Sequence, residues 1–227
     1  MLIKTFVLTA FQQNTRVVTC EVTRKSICID PGEPSRELVD YIRNNDLDLQ
    51  AIILTHGHLD HIGGTTALAR EFPDAEVLLH EEEMYLYEVL PQQPLFMGVQ
   101  PHQMRELGME YDAAPPPTRF LVHGETYPVG ELNFNIRHCP GHTKGHIVLA
   151  ETEQKAVFTG DCLFSGTIGR TDLPGGDYDQ LIASIGEQVL SLDDDFTVYC
   201  GHGPETTIGR ERTANPFLTG VYQLNRG

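Results

Sequence analysis

Basic residues are scarce in this sequence. Lys and Arg total 16 against 32 Asp and Glu, a formal net charge of −16 over 227 residues. Such a field repels phosphate backbones, which argues against a nucleic-acid partner. It also requires any anionic substrate to find a local cationic pocket. Long apolar runs are missing: none approaches the roughly 20 residues needed to cross a bilayer, so no membrane span is expected. The opening MLIKTFVLTAF has a single Lys and lacks a small-residue cleavage pattern, so it reads as a first strand rather than a signal peptide. Cysteines are few and without paired spacing: Cys20, Cys28, Cys139, Cys162 and Cys200. An odd count without a signal segment predicts reduced thiols and a cytoplasmic protein.

What is present is an ordinary globular composition, 40 % hydrophobic, with enough Gly (21) and Pro (14) for many turns. The length suits one larger domain, and no linker or low-complexity segment divides it, so a single domain over 1–227 is expected. Strands are predicted at LIKTFVL, VVTCEV (17–22) and SICID. A turn at DPGEP follows, with Pro34 in the first turn of a helix over SRELVDYIRNN, whose Leu38, Val39 and Ile42 share a face. AIILT (51–55) and AEVLLH (75–80) read as short strands around a helix IGGTTALAREF, and EEEMYLYEVL as helical. Residues 91–117 have weak periodicity and much Pro and Met. They read as a long surface excursion with one short helix, either a lid or pocket wall or a loop packed on itself.

Strands resume at RFLVH, ELNFNIRHC, HIVLAE and KAVFTGD. DYDQLIASIGEQVLSL is a helix with Leu181, Ile185, Val189 and Leu192 near helical spacing, FTVYCGHG is a last strand, and TIGRERTANPF a short helix stopped at Pro216. SICIDPG and AVFTGD echo each other as apolar strands ending in Asp and Gly, which is compatible with two similar β-rich halves. The order of elements suggests two sheets, or a split sheet, covered by helices.

The densest chemistry lies in THGHLDH (55–61), which places His56, His58, Asp60 and His61 after a buried strand too short to be a helix. In an extended segment residues two apart point to one side, so His56 and His58 can reach one metal together. Asp60 and His61 fall where the chain turns and can point to a second centre. Imidazole and carboxylate together suit zinc-like cations. A solvated helix start with Asp60 as a cap would explain one histidine better than three. Similar settings recur at His142 in HCPGHTKGH, at Asp161 ending AVFTGD and at His202 ending FTVYCGHG, where the flanking glycines are expected to allow close backbone approach. Five histidines and two aspartates suit two centres sharing a bridging carboxylate.

The remaining histidines at 80, 102, 123 and 138 lack such settings and read as surface or packing residues. For His146 the readings are support for a ligand or a plain strand start. For Asp30 they are a turn-fixing residue or the orienter of a ligand histidine through its distal nitrogen. Cys139, Cys162 and Cys200 lie near ligand candidates but read as small buried hydrophobes.

The segments THGHLDH (55–61), PGHT (140–143), TGD (159–161) and GHG (201–203), in this order, resemble the metallo-β-lactamase superfamily. The resemblance covers most of the chain. It implies an α/β fold, a four-layer αββα sandwich of two mixed β-sheets flanked by helices. It further implies that His56, His58 and His142 hold one metal, that Asp60, His61 and His202 hold a second, and that Asp161 bridges both. The cofactors implied are two divalent ions, zinc first, with iron or manganese as alternatives. GDCLFSGTIGRTDLPGGD and GHGPETTIGRERTANPFL are similar to short bacterial glyoxalase II-like hydrolases. Longer members append a helical domain that binds glutathione; little chain follows Gly203, so that domain is not expected here.

Arg170 stands where relatives bind a glutathione carboxylate with a basic residue, a task that guanidinium geometry suits. Lys144 is a second candidate, and Asp172 replaces a tyrosine of the longer enzymes. The activity implied is hydrolysis of a thiol ester, S-lactoylglutathione or a related hydroxyacylglutathione, by a metal-bridging hydroxide that Asp60 orients. Its thiolate leaving group needs little protonation. The rival implied by the same fold is a mononuclear-iron persulfide dioxygenase using His56, His142 and Asp161; the GHG around His202 favours the hydrolase. A nuclease of the same superfamily is disfavoured by the acidic charge.

Overall fold

The structure, a computed structural model, describes residues 1–96 and 98–221, which cluster into two compact units. The first comprises Met1–Leu121 with Val129–Leu132, the second Val122–Pro128 and the chain from Asn133 onward.

In the first unit six strands lie in sequence order: β1 (Leu2–Leu8), β2 (Gln13–Thr19), β3 (Lys25–Ile29), β4 (Asp48–Ile53), β5 (Glu76–Leu79) and β6 (Arg119–Phe120). The first three form an antiparallel meander, and β3 to β6 run parallel. Strand β2 starts earlier than its apolar stretch and ends before Cys20. All seven of its residues are buried, Gln13, Asn14, Thr15 and Arg16 included. The Thr15 hydroxyl of this polar half donates to the Asp30 carbonyl at 2.7 Å, and a half that is both polar and buried escapes a hydropathy reading.

Helix α1 (Arg36–Asn44) starts at Ser35, whose Oγ accepts from the Leu38 N–H at 3.2 Å. Pro34 therefore precedes the cap instead of lying in the first turn. Leu38 and Ile42 are buried beside Leu68, Ile52 and Leu54; each such side chain contributes about 1.5–3 kcal/mol of burial. The helix expected over IGGTTALAREF is α3 (Thr65–Glu71), and a break at Gly63–Gly64 separates it from a short α2 (Leu59–Ile62) over the histidine cluster. Gly64 sits at the break because its N–H donates to the Pro31 carbonyl at 2.8 Å, and a Cβ there would lie 2.4 Å from the Glu33 carbonyl oxygen. Among the described residues the excursion carries two short α-helices where one was expected. After α4 (Met84–Tyr87) come α5 (Gln93–Phe96) and α6 (Pro101–Met104).

The second sheet has the spatial order β14-β13-β10-β9-β8-β7, with β7 (Thr126–Val129), β8 (Leu132–His138), β9 (Ile147–Glu151), β10 (Ala156–Gly160), β13 (Thr197–Cys200) and β14 (Thr206–Thr207). It too is mixed, since β10 pairs parallel with β13 and antiparallel with β9. A small ribbon, β11 (Leu163–Phe164) with β12 (Thr167–Ile168), follows Asp161. Helix α7 (Tyr178–Ser184) runs on into a π turn over Ile185–Val189, and α8 (Ile208–Ala214) ends before Pro216. Leu181, Ile185 and Val189 pack with Val148, Val157, Val198 and the three cysteines. Both sheets are mixed and flanked by helices, the fold class expected. The echo between SICIDPG and AVFTGD corresponds to β3 and β10, one in each unit.

Candidate metal centre

The donors of the first unit follow β4. Leu54 still donates to the Leu78 carbonyl at 2.9 Å, the chain bends at Thr55 and His56, and His58, the residue before α2, is extended (φ −70, ψ 146). The His56 ring centroid lies 4.8 Å from that of His58 and 4.1 Å from that of His61. Asp60 sits in the first turn of α2, its Oδ2 3.9 Å from His61 Nε2.

Asp30 settles its open reading. Its buried carboxylate accepts from the Thr55 N–H (2.7 Å), the Thr55 hydroxyl (2.7 Å) and His61 Nδ1 (2.9 Å). A carboxylate only accepts, so the His61 proton sits on Nδ1 and its Nε2 keeps a lone pair. The Thr55 hydroxyl spends its proton on Asp30 and can only accept from His56 Nδ1, 3.1 Å away. His56 therefore also presents a bare Nε2. The ligand atoms of Asp30, His56 and His61 all lie within 4.8 Å of one another.

The donors of the second unit follow β8, β10 and β13. His142 Nδ1 donates to the Arg170 carbonyl at 2.8 Å, which again leaves Nε2 as the lone-pair nitrogen. His142 Nε2 and His202 Nε2 lie 3.8 and 3.5 Å from the same oxygen of Asp161. Two donors each about 2.0–2.1 Å from a shared tetrahedral zinc lie about 3.3 Å apart, so these separations fit a cation better than direct hydrogen bonds. Asp161 is held from behind, its N–H donating to His146 Nε2 at 3.1 Å. His146 thus supports a ligand candidate. Gly169 makes room, since a Cβ there would lie 1.9 Å from the Asp161 carbonyl oxygen and 3.0 Å from His142 Nδ1. Gly203 differs from expectation: nothing lies within 4 Å of a Cβ built there, and its use is its φ of +71 just after His202.

Arg170 extends its guanidinium to Asp172 in a two-pronged pair, Nε–Oδ1 at 2.8 Å and Nη2–Oδ2 at 2.7 Å, with both side chains more than half exposed. The Arg170 hydrogen bonds hold the Asp172 carboxyl down at about 2. Lys144 is exposed, and its carbonyl accepts from His138 Nε2 at 2.8 Å. Burial, then the neighbouring Cys139, pushes the Cys162 thiol well up; together with the full burial of Cys139, Cys162 and Cys200 this supports their reading as small hydrophobes. His80 caps the 3-10 turn over Glu81–Glu83, His123 accepts from the His138 N–H, and His102 is exposed on α6. Sequence reasoning missed Glu83 and Gln93, whose side chains hold the backbone beside His58; they are long-range polar contacts without a local pattern.

Imidazole and carboxylate donors stand on strand-end loops of each unit, and the chain's relatives make it a metallo-hydrolase. A profile of the metallo-beta-lactamase superfamily matches residues 8–202, and the chain belongs to that superfamily. Among curated relatives, hydroxyacylglutathione hydrolase GloC of Haemophilus influenzae is 43% identical over 211 residues, 93% of this chain and 95% of that one. Among solved structures, the BLEG-1 B3 metallo-beta-lactamase superposes with a TM-score of 0.84 at 34% identity, covering 96% of this chain and 100% of that one. TTHA1623 in a di-iron-bound form superposes with a TM-score of 0.80 at 36% identity, covering 95% and 100%.

Proposed function

We propose that this metallo-hydrolase cleaves thiol esters of the hydroxyacylglutathione type, S-lactoylglutathione first, working as one catalytic domain in the cytoplasm. The observation that carries the reading is the convergence of the His142 and His202 Nε2 atoms on one Asp161 oxygen. The name of the Haemophilus influenzae relative supports the substrate class. In this reading His56, His58 and His142 hold one cation, Asp60, His61 and His202 a second, and Asp161 both. The donor chemistry favours zinc, and the di-iron form of TTHA1623 makes iron the alternative. Two such cations, when bound, would supply a water acidified to a pKa of about 7 and a Lewis acid for the carbonyl.

The chain's own residues do the rest. Asp30, through His61, and the Arg170 carbonyl, through His142, fix the tautomers that leave Nε2 available. Asp60 orients the nucleophile. Arg170 binds a carboxylate of the thiol part by exchanging it for Asp172, with Lys144 as a second cation. A thiol of pKa about 8.5 leaves as thiolate, so the site needs no strong general acid.

The test pairs metal analysis of the purified protein with two assays, turnover of S-lactoylglutathione and oxygen uptake with glutathione persulfide. Two bound metals with ester hydrolysis is the expected result. One iron with oxygen consumption would overturn the reading in favour of the dioxygenase.

A further inference from the structure

The loop that carries His58 is gripped from outside by two buried side chains. The Gly57 N–H donates to Glu83 Oε2 at 2.7 Å. The Gly57 carbonyl accepts from Gln93 Nε2 at 2.7 Å, and the Leu59 N–H donates to Gln93 Oε1 at 2.9 Å. One amide group thus holds the peptide groups on both sides of His58. Its second N–H goes to the Leu86 carbonyl at 3.0 Å. Both donors and the oxygen of Gln93 are engaged, which fixes the amide orientation: flipped, it would set its oxygen against two carbonyls and its NH2 against an N–H. Gln93 is 4 % exposed and Glu83 fully buried. Gly57 lies directly on this support, since a Cβ there would come within 2.8 Å of Leu86 Cβ.

Gln93 is the first residue of α5, so the grip comes from the front of the long excursion. The excursion's far end is fastened to the same stretch of chain. Tyr111 ring carbons lie 2.4 and 2.7 Å from a Cβ built at Gly63, immediately after α2. The neighbouring anchors are the Thr66 hydroxyl on the Ala113 carbonyl (2.9 Å) and the Tyr87 hydroxyl on the Pro115 carbonyl (2.8 Å). The excursion is therefore a strap tied down at both ends of the segment that runs from Gly57 to Gly63.

We propose that Gln93, backed by Glu83, is a positioning residue for His58, and that the order of the strap is coupled through it to metal occupancy of the His58 loop. This rests on reading His58 as a metal ligand. If Gln93 sets the backbone on both sides of that ligand, losing its amide loosens the ligand without removing it. By reciprocity, a cation that fixes the loop also fixes the strap.

Metal-free wild type, Gln93→Met, Glu83→Gln and Glu83→Ala are titrated with zinc against a competing chelator, and urea midpoints of the metal-free proteins are recorded alongside. Met keeps the length of Gln93 without its amide, and zinc affinity should fall 10- to 100-fold, the usual effect of losing support behind a ligand. Glu83→Gln keeps an acceptor for the Gly57 N–H and should bind zinc like wild type, whereas Glu83→Ala should not. A merely structural role would lower the urea midpoint and leave zinc affinity unchanged. Hydrogen exchange on wild type with and without zinc gives a second arm that needs no variant. The Gln103, Leu107 and Met109 amides, bonded within the strap at 2.8–3.0 Å, should exchange more slowly once zinc is added. Wild type that binds no zinc overturns the metal reading itself. Wild type that binds zinc while Gln93→Met binds it equally well, or while the strap amides ignore it, overturns this inference and leaves the metal reading standing.

Discussion

Replacing Asp30 with Asn separates orientation of the proposed ligand His61 from its presence. The carboxylate accepts three hydrogen bonds at 2.7–2.9 Å and is 2 % exposed. Asn is almost the same size and tolerates the left-handed backbone found there (φ 53). Its amide can be seated in only two ways. With the oxygen toward Thr55 N–H, the NH2 faces His61 Nδ1, and the ring must shift its proton to Nε2 to accept. That removes the lone pair a cation needs. With the oxygen toward His61, the NH2 is forced against the Thr55 N–H, and two buried donors confront each other at about 1–3 kcal/mol. The first seating should weaken zinc binding 10- to 100-fold, about 1.4–2.7 kcal/mol. The second should lower stability by a similar amount. Chelator competition and urea denaturation read the two quantities separately. Asp30→Asn with zinc bound at wild-type affinity and an unchanged urea midpoint would refute the account of Asp30 and of the His61 tautomer.

Three further outcomes follow from the geometry. Gly169→Ala pushes a methyl to 1.9 Å from the Asp161 carbonyl oxygen, so it should cost about 1–3 kcal/mol and at least tenfold in turnover; wild-type melting and turnover together would show that the approach is not tight. Asp172→Asn should free the Arg170 guanidinium and lower KM for an anionic thiol ester about two- to fivefold, the scale of an exposed pair, while Arg170→Gln raises it; if neither moves KM, Arg170 does not touch substrate. Burial first, then Asp60 and Glu33, pushes the Tyr111 phenol up to about 12. The unfolded phenol releases its proton near 10, so the folded state binds the extra proton between these values and stability should fall as pH rises from about 10 to 12. Tyr111→Phe should flatten that slope in denaturation curves.

Most ligand candidates were legible because the apolar strands β4, β10 and β13 lead into them, whereas His142 sits in a Pro-Gly turn after the alternating strand β8. THGHLDH, TGD and GHG are short, but the buried runs before them set their location. The parts that were hidden had no local pattern. Strands β11, β12 and β14 are two residues long, too short for a period to show. The polar half of β2 is buried, against the usual sense of polarity. The break at Gly63–Gly64 is dictated by the Glu33 carbonyl, some thirty positions earlier in the chain, which no helical propensity contains. Gln93 and Glu83 reach Gly57 across 36 and 26 positions, and only the tertiary fold brings them there. Asp30 and His146 were visible as candidates with two uses each, and a hydrogen bond decided between them.

All five cysteines are buried as free thiols, and none belongs to the proposed ligand set. Cys28, Cys139, Cys162 and Cys200 are fully buried, so a thiol reagent in solution can attack them only when the chain opens. Labelling then counts opening events: in the first unit through Cys28, in the second through Cys139, Cys162 and Cys200, each with its own mass tag once the peptides are separated. The protein carries two internal clocks, and comparing their rates with and without metal would show which unit the cation keeps shut.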